Sequence, residues 1–331
     1  MTTAWLPIVW FCIIGLEVVL YMLLDGTNLG VGLLSLLPQS DKRRLVLMHV
    51  FGPMWDANET WLLIAAATTY GAFPIVFSVA LNALYIPAMT LGAGLILRVA
   101  SYEFYAHTQR TKHLWATLFG IGSLLATIGL GLLLGGLLSG IRMTRGHFSG
   151  GPFDWATLVT FLITTGIVTG FVVLGYAHMV RQSKIVSKKG FERILLYSIL
   201  TFALLASATA VVPNTNYLFL SRWSDPRYMP ILWSVVGLIA ASTALLVYAI
   251  HKRDTALVPW LCNTIFIIGF FGIVVGTFPY ILPPNITIFD AASSPTTQTF
   301  MLWGIGPILP IVLVYNYYIS RLFRDDDSYE I

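Results

Sequence analysis

Residues 5–37 read WLPIVWFCIIGLEVVLYMLLDGTNLGVGLLSLL, and this stretch decides the class of the fold. A helix needs roughly 20 apolar residues to cross the ~30 Å hydrocarbon core of a bilayer. The segment exceeds that length, and its only charged residues are Glu17 and Asp25. At about 100° per residue, Tyr21 lies about 40° round the helix from Glu17, Asn28 about 20° and Asp25 about 80°, so all four share one face. A carboxylate at bilayer depth costs about 2.5–3.5 kcal/mol on the mildest scale, and such residues turn to the protein interior, pair, or hold a proton. The polar stripe is therefore a functional-site hypothesis from the outset.

The rest of the chain agrees with a membrane class. Of 331 residues, 57% are hydrophobic and only 10% charged, with mean hydropathy +0.79, whereas soluble domains are about 25% charged. The expectation is an all-α, polytopic transmembrane protein: one integral membrane domain over residues 1–331, with no soluble domain. Cys12 and Cys262 both fall in apolar segments and form neither a metal-ligand cluster nor a disulfide framework. The first apolar run is too long for a cleavable signal and lacks a basic leader. The net charge of +4 sits in loops, where it carries topology, and no nucleic-acid partner is expected.

Nine spans are predicted, at about 5–37, 54–70, 73–97, 115–139, 155–180, 192–212, 229–250, 258–282 and 297–320. With these spans alternating, one side carries Lys42, Arg43, Arg44, Arg98, Arg110, Lys112, Arg181, Lys184, Lys188, Lys189, Arg193, Lys252, Arg253, Arg321 and Arg324. The other carries Arg142, Arg145, Arg222 and Arg227. The positive-inside rule then puts the N-terminus outside and the C-terminus in the cytoplasm. Eight spans would spoil the alternation.

Orientation gives depth. Asp25 comes out ~15 Å above the cytoplasmic edge, near the midplane, with Glu17 about 12 Å further out. Asp56 and Glu59, at i,i+3, start the second helix on the cytoplasmic side, and Arg98 ends the third there, with Glu103 just beyond. The set reads as a ladder of protonatable groups rising from the cytoplasm, an Arg near carboxylates holding some ionised while burial keeps others protonated. Plainer roles exist: Asp56 and Glu59 as helix N-terminal charges, Arg98 snorkelling from a helix end, and Gly26 and Gly30 as a small-xxx-small packing seam. Neither a cap nor snorkelling explains Asp25.

Of the six histidines, His107, His113, His147 and His251 lie in or beside loops, His178 ends a helix, and His49 lies in the lead into the second span. No pair sits at matched depth on facing helices, as a bis-histidine haem requires, so no haem or metal ligation by this chain is expected. There is no P-loop, dinucleotide fingerprint, H-E-x-x-H or C-x-x-C-H.

Three motifs then converge. Asp25-Gly26-Thr27-Asn28-Leu29-Gly30-Val31-Gly32 is similar to a DGFDLGxG signature. Gly52-Pro53-Met54-Trp55-Asp56-Ala57-Asn58-Glu59-Thr60-Trp61-Leu62 is similar to GPxWDGNEVWL, and Phe278-Pro279-Tyr280 through Asp290-Ala291-Ala292-Ser293-Ser294 to FPxxxPS…WDAxSS. Together they resemble subunit II of the cytochrome bd-type quinol oxidases, over nearly the whole chain. The resemblance implies a haem-free subunit of a terminal oxidase in the bacterial inner membrane. Quinol is oxidised and O₂ reduced at b- and d-type haems in a pseudo-symmetric partner, subunit I, and a small single-span accessory subunit and a bound lipid or quinone are further expected partners. It also implies a proton uptake path from the cytoplasm, carried by Asp25 and Asp56 with the motif arginine at Arg98. Glu59 and Glu17 join that path on chemistry and spacing. Two positions depart from the family pattern: Asn28 replaces an acid and Ala57 a glycine, and Asn28 cannot carry a proton. A proton-coupled secondary transporter and a purely structural membrane subunit are the alternatives.

Overall fold

The computed structural model describes residues 4–37, 47–48, 51, 55–108, 110–144, 147–182, 188–212 and 216–322, and within these not the side chains at 55–57, 182, 188–189, 316–317 and 319–322. Lys42, Arg43, Arg44, His49, Arg145, Lys184 and Arg324 lie outside the described residues, as do the side chains of Asp56, Lys188, Lys189 and Arg321.

The described chain is helical but for two small hairpins. The helices are α1 (Trp5–Ser35), α2 (Trp55–Ala72), α3 (Pro74–Ala83), α4 (Tyr85–His107), α5 (Lys112–Ser139), α6 (Leu158–Gln182), α7 (Lys188–Val211), α8 (Tyr217–Ser224), α9 (Met229–Lys252), α10 (Leu257–Thr277), α11 (Ile288–Ala291) and α12 (Pro295–Leu322). Strands β1 (Met143–Thr144) and β2 (His147–Phe148) pair antiparallel, as do β3 (Tyr280–Leu282) and β4 (Ile286–Thr287).

Seven of these helices are long and apolar enough to cross a membrane. The segment Asn58–Ala72 and α3 make an eighth if counted as one span bent by 119°. The sequence reading of one span over 73–97 is corrected here, because Leu84, with φ −120° and ψ 27°, divides it into α3 and α4. Ahead of α3, Phe73 breaks the chain from α2, with φ −136° and ψ 64°, because the ring of Pro74 disfavours helical geometry in the residue before it. Pro74 then opens α3, where its missing N–H costs nothing. The long helix that follows starts only at Tyr85 and runs past Arg98 to His107, so Arg98 lies within a helix and not at its end.

Helix α1 is the hub. It packs against α2, α5, α6 and α12. Helices α4 and α5 pair beside it, while α6, α7, α9 and α10 form a second group joined to the first through α5–α6 and α1–α6. From Asn28 onward α1 is enclosed on nearly all sides, every residue through Ser35 being buried. Glycine makes this possible. A Cβ on Gly30 would strike the carbonyl of Phe171 and the backbone of Gly175, whose nitrogen would lie 2.7 Å away. The predicted small-residue seam is thus the α1–α6 contact. Gly122 does the same for α4 and α5, since a Cβ there would come within 2.6 Å of the Arg98 nitrogen.

The bundle end that holds the start of α1 is sealed by side chains that satisfy stray carbonyls. Gln298 Nε2 and the Ser293 N–H both donate to the Ala72 carbonyl, left open by the break at Phe73. Trp10 Nε1 donates to the Gln298 carbonyl, Asn285 Nδ2 to Ile141, Asn216 Nδ2 to Leu138 and Arg222 Nη2 to Phe278. Helix α10 stops at Thr277, as the prolines of 279–284 require. The polar loop expected after it folds into the β3–β4 hairpin and α11, whose start is a capping box of Thr287 and Asp290. Large apolar side chains remain exposed along the outer flanks, among them Leu196, Trp233, Phe271, Trp303 and Ile311, as lipid contact or subunit contact demands.

Candidate functional site

The polar stripe of α1 faces α2 and α4. Arg98 Nη2 lies 3.0 Å from Asp25 Oδ1 and 3.1 Å from Oδ2, and it also donates to Glu59 Oε1. Arg98 and Asp25 are both 0% exposed, and Glu59 is mostly buried. Arg98 therefore does not snorkel. Away from water, the attraction of Arg98 for each carboxylate and the repulsion between the two carboxylates are both far stronger than between surface charges. They are also expensive to desolvate, so removing one partner is strongly destabilising.

Around the triad the stripe continues. Tyr21 and Asn28 lie against the Asp25 carboxyl. The Tyr21 hydroxyl and the Asn28 amide nitrogen are buried without a hydrogen bond of ordinary geometry among the described residues, as are Nε and Nη1 of Arg98. On α2, Asn58 Nδ2 reaches the Leu24 carbonyl at 3.4 Å. Glu17, one turn beyond Tyr21, is 0% exposed and finds its partner in Thr68, whose Oγ1 lies 2.6 Å from Oε2.

Of the expected site residues, the structure brings Asp25, Arg98 and Glu59 into direct contact and seats Glu17 two turns away on the same helix. Asp56 belongs to the first turn of α2, but its side chain lies outside the described residues. Glu103 is exposed and stands apart from the triad. The Phe51 ring lies 5.5 Å from the Arg98 guanidinium and packs edge-on against Phe119 and Tyr102, so that with Met48 and Tyr105 it forms a largely aromatic layer on one side of the cluster among the described residues.

Sequence reasoning missed Thr68, Trp61 and Phe51. A signal for the first two existed: Asn58, Trp61, Ala65, Thr68 and Ala72 follow 3-4-3-4 spacing and are all buried, the period of one helix face. Among the described residues no three His, Cys, Asp or Glu side chains converge on a metal site. His107, His113, His147 and His251 are exposed, and His178 is half-buried on α6.

Comparison with known proteins gives the arrangement its context. The family model for cytochrome bd terminal oxidase subunit II matches residues 6–323. Cytochrome bd-I ubiquinol oxidase subunit 2 of Escherichia coli strain K12 is 24% identical over 94% of this chain and 92% of its own length. A probable cytochrome oxidase subunit 2 of Haemophilus influenzae is 23% identical over 98% and 96%. Cytochrome bd ubiquinol oxidase subunit 2 of Bacillus subtilis is 33% identical over 40% of each chain. In fold, the chain superposes on a chain of the bd oxidase from Geobacillus thermodenitrificans with TM-score 0.78, covering 96% of this chain and 98% of that one, at 16% identity. With the family model spanning nearly every residue that builds the fold and the buried triad, the chain belongs to the cytochrome bd terminal oxidase subunit II family, and so to a quinol:O₂ oxidoreductase complex of the respiratory chain.

Proposed function

We propose that this chain is the haem-free subunit II of its oxidase, that it stabilises the haem-bearing subunit I, and that it contributes a proton uptake path from the cytoplasm through Asp25, Asp56, Glu59, Arg98 and Glu17. The bound haems of the partner supply the electron transfer and O₂ chemistry; this chain moves and holds protons. The chain crosses the bacterial inner membrane nine times, counting α2 and α4 as separate spans, with its N-terminus outside. A small single-span accessory subunit and a lipid or quinone against the apolar flanks complete the assembly.

The observation that carries the reading is one guanidinium between two carboxylates inside the bundle. Arg98 stays charged at any working pH. With both acids ionised the triad carries one net negative charge; with one proton bound it is neutral. A site that alternates between these states exchanges one proton per cycle while its hydrogen-bonded frame stays in place. An invariant ion pair could not do so, because a single carboxylate matched to a single guanidinium is already neutral. The Asn28 amide beside Asp25, on the side away from Glu17, is the group that would meet the arriving proton's carrier, and the Tyr21 hydroxyl stands on the opposite side of Asp25.

A structural role for the triad is the rival reading, since a fully bonded buried network also rigidifies a fold. Membership of an oxidase subunit family leaves the transporter alternative without support. The test is Asp25→Asn in the assembled oxidase. We expect purification through this chain to bring down a partner showing b- and d-type haem bands. We expect the variant to keep that haem content while O₂ reduction slows by about 10²-fold, the lower end of a lost acid–base group. Parental turnover at full haem content would remove the proton path and leave the scaffold.

A further inference from the structure

The Glu17–Thr68 pair does not belong to the charged triad, and its geometry asks for its own account. Glu17 is 0% exposed and has no cation among its described neighbours; its Oε1 has no hydrogen-bond partner among the described residues. Its Oε2 is held by Thr68 Oγ1 at 2.6 Å. The same Oγ1 lies 2.9 Å from the Ile64 carbonyl and 3.1 Å from the Ala65 carbonyl. A hydroxyl has one hydrogen to give and two lone pairs to receive with. It therefore cannot donate to all three oxygens at once.

Two arrangements follow. With Glu17 ionised, Thr68 gives its hydrogen to Oε2. With Glu17 neutral and its proton on Oε2, Glu17 donates to Thr68, and the threonine hydrogen turns to Ile64 or Ala65 one turn back on α2. Oε2 is satisfied in both, and no backbone or side chain has to move. A carboxyl that serves only as structure gains nothing from a partner that fits both charge states. One that gains and loses a proton does.

We infer that Glu17 is a reversible proton-holding station on the far side of Tyr21 from the triad, and that Thr68 is the positioning residue that lets it change charge state in place. The step is a simple proton transfer. A proton arrives from the Asp25 side, by way of the Tyr21 hydroxyl that stands at i+4 between them, is held on Glu17 Oε2 while the Thr68 hydrogen turns back to its own helix, and leaves toward the partner subunit; no electron moves. Tyr21 supports the route independently, because it is 1% exposed, lies against the Asp25 carboxyl, and its hydroxyl has no hydrogen bond of ordinary geometry among the described residues. The inference rests on the proton path proposed above and extends it past the midplane.

The experiment uses the assembled oxidase, with haem content as the measure of assembly. Glu17→Gln keeps the bond to Thr68 and removes the titrating group. We expect quinol-driven O₂ consumption to fall about tenfold or more. Thr68→Val should fall several-fold and Thr68→Ser should recover most of the parental rate. In redox-induced infrared difference spectra, a carboxyl C=O band should vanish in Glu17→Gln, shift in Thr68→Val and return in Thr68→Ser. A permanently protonated, structural Glu17 gives no such band. Parental turnover in Glu17→Gln, or an unchanged carboxyl spectrum, overturns the inference. If Asp25→Asn is slow in the same series, the proton path itself stands; if it too runs at the parental rate, both fall. Should Glu17→Gln not assemble, the Thr68 pair decides: a slow valine with a recovered serine supports the station, and a parental valine overturns it.

Discussion

The two halves of α1 bury their carboxylates in different ways. In the C-terminal half, Asp25 meets a guanidinium that also holds Glu59. In the N-terminal half, Glu17 meets, among the described residues, only a threonine hydroxyl. The first arrangement fixes geometry through charge: Arg98 cannot release its proton, so Asp25 and Glu59 are held whether or not one of them is protonated. The second fixes geometry without charge, through a hydroxyl that fits either state. Buried acid groups thus have two solutions on one helix, and they should fail differently when altered.

The largest effect should come from Arg98→Leu. It leaves two carboxylates without their cation, a loss of about 3–5 kcal/mol for a broken buried pair. The expected outcome is loss of the assembled, haem-containing complex from membranes. Arg98→Lys keeps the charge but not the planar donor set and should assemble partially. A fully assembled Arg98→Leu complex would mean that the triad contributes little to the fold.

Next is the seam that encloses the C-terminal half. Gly30→Val places a side chain against the Phe171 carbonyl and Gly175. Separating the helices should cost at least the ~1–3 kcal/mol of an overpacked core. Thermal loss of the haem spectrum should come several degrees lower, while Gly237→Ala, where a Cβ meets nothing within 4 Å, should not shift it.

A smaller change is expected from Gln298→Leu. It removes one of two donors to the Ala72 carbonyl, and the Ser293 N–H remains, so the loss should be about 1 kcal/mol. Its turnover should be parental, because the outer seal is distinct from the proton stripe. The smallest belongs to Asp154→Asn. Its partner Arg142 is 78% exposed and 3.7 Å away, and screened surface pairs of this kind contribute about 0–1 kcal/mol. The same thermal assay should not resolve it.

Much of this was legible in the sequence because membranes make polar residues conspicuous. Asp25, Glu17 and Arg98 stand out against apolar runs, and the glycine spacing after Asp25 announced a close helix contact. Four features were not legible for physical reasons. The hydropathy of 73–97 is continuous, so nothing in it marks the break at Leu84 that separates α3 from α4. The run of apolar residues ends at Arg98, which made Arg98 resemble a helix terminus. Only its partners on α1 and α2, 73 and 39 residues away in sequence, reveal an interior position. Thr68 was hidden by its ordinariness: threonines commonly bond back to their own helix, as Thr68 also does, and nothing local marks the one that faces a buried acid. The aromatic layer at Phe51 was equally silent, since an aromatic side chain in an apolar stretch has many uses.

The central claim is that protons for O₂ reduction pass Asp25. Its most direct test is the rate of proton uptake from solution when the reduced, assembled oxidase is mixed with O₂, followed beside haem oxidation in the parent and in Asp25→Asn. The account predicts that uptake in the variant slows by about 10²-fold and lags haem oxidation at unchanged haem content. Proton uptake at the parental rate in that variant would contradict it.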